Sequence, residues 1–302
     1  MITFNKILVC LDLSQTDEAI IQNACSISEV TGTKEVTFLN VIKDFNIPES
    51  LKKEFPDLID KAVAERRKEL SSAIDKSFDC PNVKTNLLIR QGAETKEILT
   101  ASMEADADLI ILGRKEKSNS VLNTRVVRRA ACNILLVPEG KKLDLSKIHV
   151  PVDFSNYSAL SLETALSLTD DSTSEITIQN VYNVPSSYRY SGKTFEEFAA
   201  IMEENSQKDL TVLIRQAQIK NQKLTSIHTL DDGQNVIRMI YQEATKGKAD
   251  LIVMGAKGRT AASALFIGSK AERMIQVNEN IPLMVVRKKG SNAGIIESLK
   301  DL

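Results

Sequence analysis

The chain repeats its own sequence at a spacing of about 140 residues, and this repeat constrains the fold more than any other feature. Four segments recur in order: KILVCLDLS as KIHVPVDFS, EVTFLNV as EITIQNV, ADLIILG as ADLIVMG, and NILLV as NIPLMVV, at offsets of 141, 140, 142 and 147 residues. Such a period is too long for a solenoid, so the 302 residues predict two whole domains in tandem. We expect domains at 1–142 and 143–290, joined by the polar connector PEGKKLDLS, with a C-terminal tail at 291–302.

Within each half, short apolar runs alternate with amphipathic stretches. In the first half, ILVCL, VTFLNV, NLLIR, LIILG and ILLV are typical of buried strands, while 18–30, 51–78 and 95–105 have helical spacing. The second half repeats this plan, with a helix expected over 195–217. Nearly continuous apolar strands favour parallel sheets covered on both faces. The sequence therefore predicts an α/β fold of two doubly wound domains, each a five-stranded, mostly parallel sheet with helices on both faces.

Composition excludes several classes of protein. The 39 basic and 40 acidic side chains balance, so no global charge points to nucleic acid or to an acidic membrane surface. The N-terminal segment has neither a signal-peptide nor an anchor pattern, and we expect a cytoplasmic protein. The four cysteines form no CxxC motif and are expected to be reduced thiols, and two histidines make a Cys/His zinc site improbable.

Spaced glycines follow the fourth strand of the second half. Met254 and Gly255 end that strand, and Gly258, Gly268 and Ser269 come before the helical stretch KAERMIQV. Glycine permits positive φ and a close approach of backbone to ligand, and amides at a helix start attract anions. A lone loop glycine is often a plain turn residue, but this series in register favours a phosphate site. The order of residues matches neither a Walker A loop nor a GxGxxG fingerprint.

The pattern G-x2-G-x9-G-[ST], with V-x-x-D-F-S at the first strand and DLIVMG before the loop, resembles the ATP-binding signature of the universal stress protein family. The resemblance covers essentially residues 3–288 and implies a Rossmann-like (adenine nucleotide alpha hydrolase-like) fold that binds ATP, with Mg²⁺. It also implies a nucleotide-dependent regulatory role in stress response.

The resemblance further implies a role for each matching residue of the second half. The end of the first strand is implied to contact the nucleoside, with Asp153 facing the ribose or a metal-bound phosphate. The backbone of the second strand is implied to contact adenine. The implied set is Pro151, Val152, Asp153 and Val181, with Met254 and Gly255 against adenosine and Gly258, Gly268, Ser269 and Lys270 at the phosphates. Lys270 and Ala271 replace a hydrophobic residue and a hydroxyl common in the family. Lys257, Arg259 or Lys270 could compensate, or could be solvated loop charges.

The first half departs from the signature after its first glycine. Gly113 is followed by RKEKSNSV, so that Glu116 stands at the second-glycine position and brings a carboxylate where phosphate would lie. The loop is also about five residues shorter, and we expect the amides at the helix start to be lost near Ser120. We therefore expect this half to keep its fold without binding nucleotide. Its basic residues would form a solvated helix face or a site for an anionic partner.

Three functions remain open at this point. The sequence has no convincing nucleophile–base pair, so enzymatic activity is expected to be at most slow ATP hydrolysis or autophosphorylation. The leading hypothesis is an ATP-binding regulatory protein, and the alternatives are a nucleotide-free scaffold and a slow ATPase. The strands NILLV and PLMVV would be exposed sheet edges, so we expect the two domains to pair within the chain through Asn133–Val137 and Leu283–Arg287. Homodimerisation is compatible with the sequence, and no nucleic-acid or membrane partner is expected.

Overall fold

The structure is a computed structural model that describes residues 2–43, 57–114, 120–169, 173–217, 223–233, 235–258 and 267–289. The chain divides into two compact units, which we call the first and the second unit. The first comprises Thr3–Lys142 together with Lys289, and the second comprises Leu143–Lys288 together with Ile2. Short contacts hold these outlying residues in their units. The Ile2 amide donates to Ser167 Oγ at 3.0 Å, and Lys289 Nζ lies 2.7 Å from Asp108 Oδ1.

The described part of the first unit is a parallel sheet with strand order β3-β2-β1-β4-β5. Its register is fixed by pairs such as Lys6 with Glu35 and Ile7 with Leu109. Strands β1 to β5 span Lys6–Leu11, Glu35–Ile42, Lys84–Gln91, Leu109–Arg114 and Asn133–Pro138, and helices α1 to α4 span Asp17–Thr31, Leu58–Ser77, Glu94–Glu104 and Ser120–Arg129.

The second unit repeats this topology in the order β8-β7-β6-β9-β10, again with parallel pairs. Strands β6 to β10 span Lys147–Val152, Glu175–Tyr182, Lys223–Leu230, Leu251–Gly255 and Leu283–Val286. Helices α5 to α8 span Asn156–Ser167, Phe195–Gln216, Val236–Lys246 and Ser269–Val277, and a 3₁₀ turn spans Ser186–Tyr190. In each unit the chain winds outward from a central strand in both directions, which confirms the doubly wound prediction. The switch point between β6 and β9 is the place where such sheets form a crevice.

Local sequence signals explain where the helices begin and which face they bury. Thr194 and Glu197 form a reciprocal capping box at the start of α6. The predicted core face of α1, formed by Ile20, Ala24 and Ile27, is fully buried. Within the described ranges, no helix is both long and apolar enough to cross a membrane.

The cysteines depart from the sequence prediction. Cys25 of α1 and Cys80, which follows α2, form a disulfide with a Cα–Cα distance of 6.0 Å, and Cys10 and Cys132 do not take part in it. The prediction of four reduced thiols is therefore wrong for this pair. The two residues are 55 positions apart in sequence, and only the packing of α1 against α2 brings them together.

One buried asparagine in each unit fixes the end of the central strand. Asn40 of β2 donates from Nδ2 to the carbonyl of Leu11 at 2.9 Å, and Asn180 of β7 donates in the same way to Val152 at 2.8 Å. Each carbonyl belongs to the last residue of its strand, where the backbone hydrogen bonds between neighbouring strands end. A buried carbonyl without a partner is costly, so these side chains stabilise the carboxyl end of the sheet.

Replacement of Asn40 by leucine tests this arrangement. Asn40→Leu leaves the Leu11 carbonyl buried without its donor, and we expect the free energy of unfolding of the first unit to fall by about 1–3 kcal/mol. Urea denaturation followed by circular dichroism measures the change. Asn5→Leu, at an exposed position, is the control and should leave the midpoint within error. An unchanged midpoint for Asn40→Leu would show that the hydrogen bond contributes nothing.

Candidate functional site

A cleft of about 720 Å³ opens in the second unit beyond the carboxyl ends of β6, β7 and β9. The ten residues singled out from the sequence all line it. They are Pro151, Val152, Asp153, Val181, Met254, Gly255, Gly258, Gly268, Ser269 and Lys270. Side chains of α6 and α7 form the remaining wall, which the sequence did not predict.

Asp153 is held in the cleft by the start of α5. Its Oδ1 accepts from the Ser155 amide at 3.1 Å and from Ser158 Oγ at 2.8 Å, and Ser158 Oγ accepts from the Asp153 amide at 2.9 Å. Phe154, the next residue, has a φ of 60°, which turns the chain sharply between strand and helix. The carboxylate is thus fixed by local hydrogen bonds.

The first two glycines of the loop are required by lack of space. A Cβ on Gly258 would lie 2.5 Å from Asp153 Oδ2, and a Cβ on Gly255 would lie 2.7 Å from the Cβ of Tyr157. Contacts this short do not occur between real atoms, so any side chain at either position would displace its neighbour. The loop therefore passes directly over the Asp153 carboxylate because it carries no side chains there.

The third glycine begins a helix. Gly268 donates from its amide to the Ala256 carbonyl at 2.7 Å, and its φ of −69° and ψ of 148° make it the N-cap of α8. These backbone angles are open to any residue, and a Cβ at Gly268 would make a tight contact of 3.3 Å with the Ala256 oxygen. Ser269 and Lys270 follow in the first turn, where amides lack intrahelical partners and the helix dipole is positive. This end of the cleft suits an anion.

A buried cation lies beside the glycine loop. Lys257 is only 8% exposed, and its Nζ lies 6.0 Å from the centre of the Tyr157 ring. Burial, reinforced by the nearby guanidinium of Arg287, lowers the pKa of Lys257. Two of the cations suggested from the sequence lie within the described residues. Lys270 is exposed, whereas Lys257 is buried and is therefore not a solvated loop charge. Arg259 lies outside the described residues.

The opposite end of the cleft has a hydrogen-bonded relay that the sequence did not reveal. Ser206 of α6 lines the cleft, and its Oγ lies 2.6 Å from His228 Nδ1 and 2.8 Å from Asn180 Oδ1. Asn180 Nδ2 is bonded to the Val152 carbonyl, so its Oδ1 must face Ser206 as an acceptor. The serine proton therefore goes to Asn180, and the serine oxygen accepts from a protonated His228 Nδ1.

This direction of the relay determines what the pair can do. Sequence analysis found no convincing nucleophile–base pair, whereas the structure pairs Ser206 with His228 across 22 residues. His228 nevertheless donates to the hydroxyl, and a general base must accept from it. Burial lowers the pKa of His228 and outweighs the opposing carboxylate of Glu203. The pair is therefore a structural support for the end of β6 rather than a nucleophile and its base.

The corresponding cleft of the first unit is smaller, at about 190 Å³. Ile20 fills part of it, since its Cδ1 would lie 2.7 Å from a Cβ on Gly113. Lys43 and Glu94, both lining this cleft, form an ion pair at 3.2 Å. Glu116 lies outside the described residues. Helix α4 begins at Ser120, and its apolar residues Val126 and Val127 are buried. The loop at 115–119 lies outside the described residues, so the loss of the amides that would bind phosphate stays a prediction.

Comparison with known proteins identifies the family. The profile of the universal stress protein family matches the chain twice, over residues 3–138 and 145–287. The chain belongs to the universal stress protein family. A universal stress protein from Methanocaldococcus jannaschii is 29% identical over 154 residues, which cover 51% of this chain and 88% of that protein. The tandem arrangement of two universal stress protein domains is thus confirmed.

Solved structures of the family share the fold. A universal stress protein from Archaeoglobus fulgidus is 17% identical and superposes with a TM-score of 0.65, covering 95% of this chain and 98% of that chain. A putative universal stress protein from Pseudomonas aeruginosa is 15% identical with a TM-score of 0.67, covering 98% of both chains. A further universal stress protein was solved in complex with cAMP, and its TM-score to this chain is 0.34.

The relay predicts the tautomer and the acid response of His228. We expect neutral His228 to carry its proton on Nδ1, because Ser206 has only an acceptor left to offer. Since the pKa of His228 is lowered on folding, the unfolded chain binds the proton first, and stability should fall as the pH drops below about 6.5. Nitrogen-15 NMR of the imidazole measures the tautomer and the pKa of His228. Ser206→Ala should abolish the tautomer preference, and an Nε2-protonated ring in the unmodified protein would contradict the relay.

Proposed function

We propose that this universal stress protein binds ATP in the cleft of its second unit and acts as a nucleotide-dependent regulatory protein in stress response. One observation carries the proposal: the ten residues predicted from the family signature, which are spread over 120 positions of the sequence, line a single cleft of about 720 Å³. A volume of this size falls within the range of about 300–1,000 Å³ typical of small-molecule sites.

The glycine end of the cleft suits the phosphates. Gly258 and Gly268 bring the loop backbone close to Asp153 and to the Ala256 carbonyl, and the amides of Ser269 and Lys270 lie in the first turn of α8. Hydrogen bonds from a backbone amide to a charged acceptor contribute roughly 1.5–3 kcal/mol each. The ammonium of Lys257 adds a positive charge in a dry environment, where its interaction with phosphate is strong.

The opposite end suits a nucleoside. Val181 and Met254 offer apolar contacts, and Ile237 and Ile240 of α7 extend the same wall. Between the two ends lies Asp153, with Oδ1 already bonded to Ser155 and Ser158. Its carboxylate is placed to accept from a ribose hydroxyl or to share a Mg²⁺ ion with a phosphate, since oxygen ligands are what Mg²⁺ prefers. The groups proposed here to bind ATP all come from one unit.

Binding without rapid turnover is the better reading of this cleft. In the described residues, His228 donates to the Ser206 hydroxyl instead of accepting from it, so this pair does not supply a general base. A regulatory protein needs occupancy to follow the nucleotide pool, which a slow reaction would not prevent. Nucleotide released from the purified protein and identified by mass spectrometry separates this function from a nucleotide-free scaffold. A phosphate-release assay separates it from a slow ATPase.

The stoichiometry of binding tests the proposal. We expect isothermal titration calorimetry to give one ATP per chain, because the first unit offers a cleft of only about 190 Å³ partly filled by Ile20. GTP, titrated in parallel, tests whether the cleft selects the adenine base, and cAMP tests whether it requires the triphosphate. Two equivalents of similar affinity would mean that the first unit also binds, and no binding of any nucleotide would favour the scaffold function.

Gly268→Val tests the phosphate end. The branched side chain would lie against the Ala256 carbonyl and over the first amides of α8, removing one or two amide–phosphate bonds. We expect ATP affinity to fall by about one to three orders of magnitude, since each 1.4 kcal/mol is tenfold. Gly247→Val is a matched control, because a Cβ there also lies 3.3 Å from a backbone carbonyl, that of Glu243, away from the cleft. If a folded Gly268→Val protein bound ATP as tightly as the unmodified protein, this loop would be excluded as the phosphate site.

A further inference from the structure

A second group of chemically active side chains lies in the first unit, away from its cleft. Among the described residues, Cys25, Glu29 and Cys80 place their sulfur and carboxylate atoms within 4.8 Å of one another. Cys25 and Glu29 are four positions apart on α1 and so lie on one face of that helix. Cys80 joins them from the segment after α2. Cys25 is half-buried, Glu29 is exposed and Cys80 is 8% exposed, so the group opens to solvent on one side.

The redox state of the two sulfurs decides what this group can bind. In the structure they form a disulfide, whose sulfurs are poor ligands. A dithiol reductant transfers two electrons and two protons to Cys25 and Cys80 and becomes a disulfide itself, which leaves two thiols within one small cluster. Their Cα atoms, 6.0 Å apart in the disulfide, already place both sulfurs close enough to share one ion.

The carboxylate of Glu29 selects a cation for the reduced state. A divalent cation bound by two thiolates and this carboxylate neutralises two of their three negative charges and displaces both thiol protons to solvent. Two thiolates favour a soft ion such as Zn²⁺, and a carboxylate oxygen is also an accepted zinc ligand. Three protein ligands leave the fourth tetrahedral position to water.

We propose that reduction converts the Cys25–Cys80 disulfide into a site for a thiophilic divalent cation such as Zn²⁺, with Cys25, Cys80 and Glu29 as ligands. The oxidised and the metal-bound states exclude each other, so occupancy of the site by the ion depends on both the reductant and the ion concentration. It belongs to the first unit: at the offset of 141 residues, the second half has Leu166 in place of Cys25. The half with the smaller cleft thereby acquires a chemistry of its own, independent of ATP.

Zinc titration of the full chain in two redox states tests the site. The protein is reduced under nitrogen, freed of reductant and titrated with Zn²⁺ against a chromophoric chelator. We expect about one Zn²⁺ per reduced chain and none at this site in the oxidised chain. Cys80→Ser should weaken binding by more than the roughly 10–100-fold that outer-shell changes cost. Cys132→Ala, which removes a buried thiol outside the cluster, is the control and should bind like the unmodified protein.

The exposed ligand provides a variant that does not disturb the core. Glu29→Gln should weaken Zn²⁺ binding by at least about tenfold while leaving the disulfide intact, whether or not Cys80→Ser folds. With Co²⁺ as the probe, the reduced protein should display thiolate-to-cobalt charge transfer, which Cys25→Ser should diminish. The proposal is overturned if the reduced chain binds no Zn²⁺, if oxidation leaves binding unchanged, or if both the Cys80 and Glu29 variants bind as tightly as the unmodified protein.

Discussion

The hydrogen bond from Asn180 to the carbonyl of Val152, 2.8 Å long, fixes the point from which the cleft is built. It holds the last residue of β6, and the next residue is Asp153. The Asp153 carboxylate then meets the start of α5 through Ser158 and leaves room only for a glycine at Gly258. Each step is a short contact between groups that belong to different strands or loops. Displacement of the strand end would therefore move the whole polar surface of the cleft.

The two units separate the requirements of the fold from those of the site. Asn40 repeats the role of Asn180 in the first unit, and the strand order is the same. The two clefts differ, because Ile20 and the Lys43–Glu94 ion pair line the smaller cleft of the first unit. A fold can thus be retained while the groups that meet a ligand change. The disulfide of the first unit is a further departure, and it has no counterpart at the repeat offset.

Much of this architecture was predictable because it rests on local patterns. Apolar runs give the strands, their near continuity indicates parallel pairing, and the repeat predicts two equal units. The glycine spacing predicts which residues gather at one edge of the sheet, because the carboxyl ends of parallel strands meet there. The individual cleft residues followed from the resemblance to the universal stress protein family, which required no knowledge of side-chain packing.

The features that sequence analysis missed depend on contacts between distant segments. Ser206 and His228 meet because α6 covers β8, and Cys25 and Cys80 meet because α1 packs on α2. Neither pair has a spacing that periodicity can detect. At Gly268 the backbone has an ordinary negative φ, and a Cβ would make a tight contact of 3.3 Å with the Ala256 carbonyl. Backbone angles and clearances of this kind require coordinates.

The central claim is that backbone amides at the start of α8 hold the phosphates of ATP. Amide chemical shifts in proton–nitrogen NMR spectra, recorded while Mg²⁺ and ATP are added, test it residue by residue. The claim predicts large shifts at Gly258, Gly268, Ser269 and Lys270, with little change at the start of α4 in the first unit. Shifts confined to the first unit, or no shifts at saturating ATP, would contradict it.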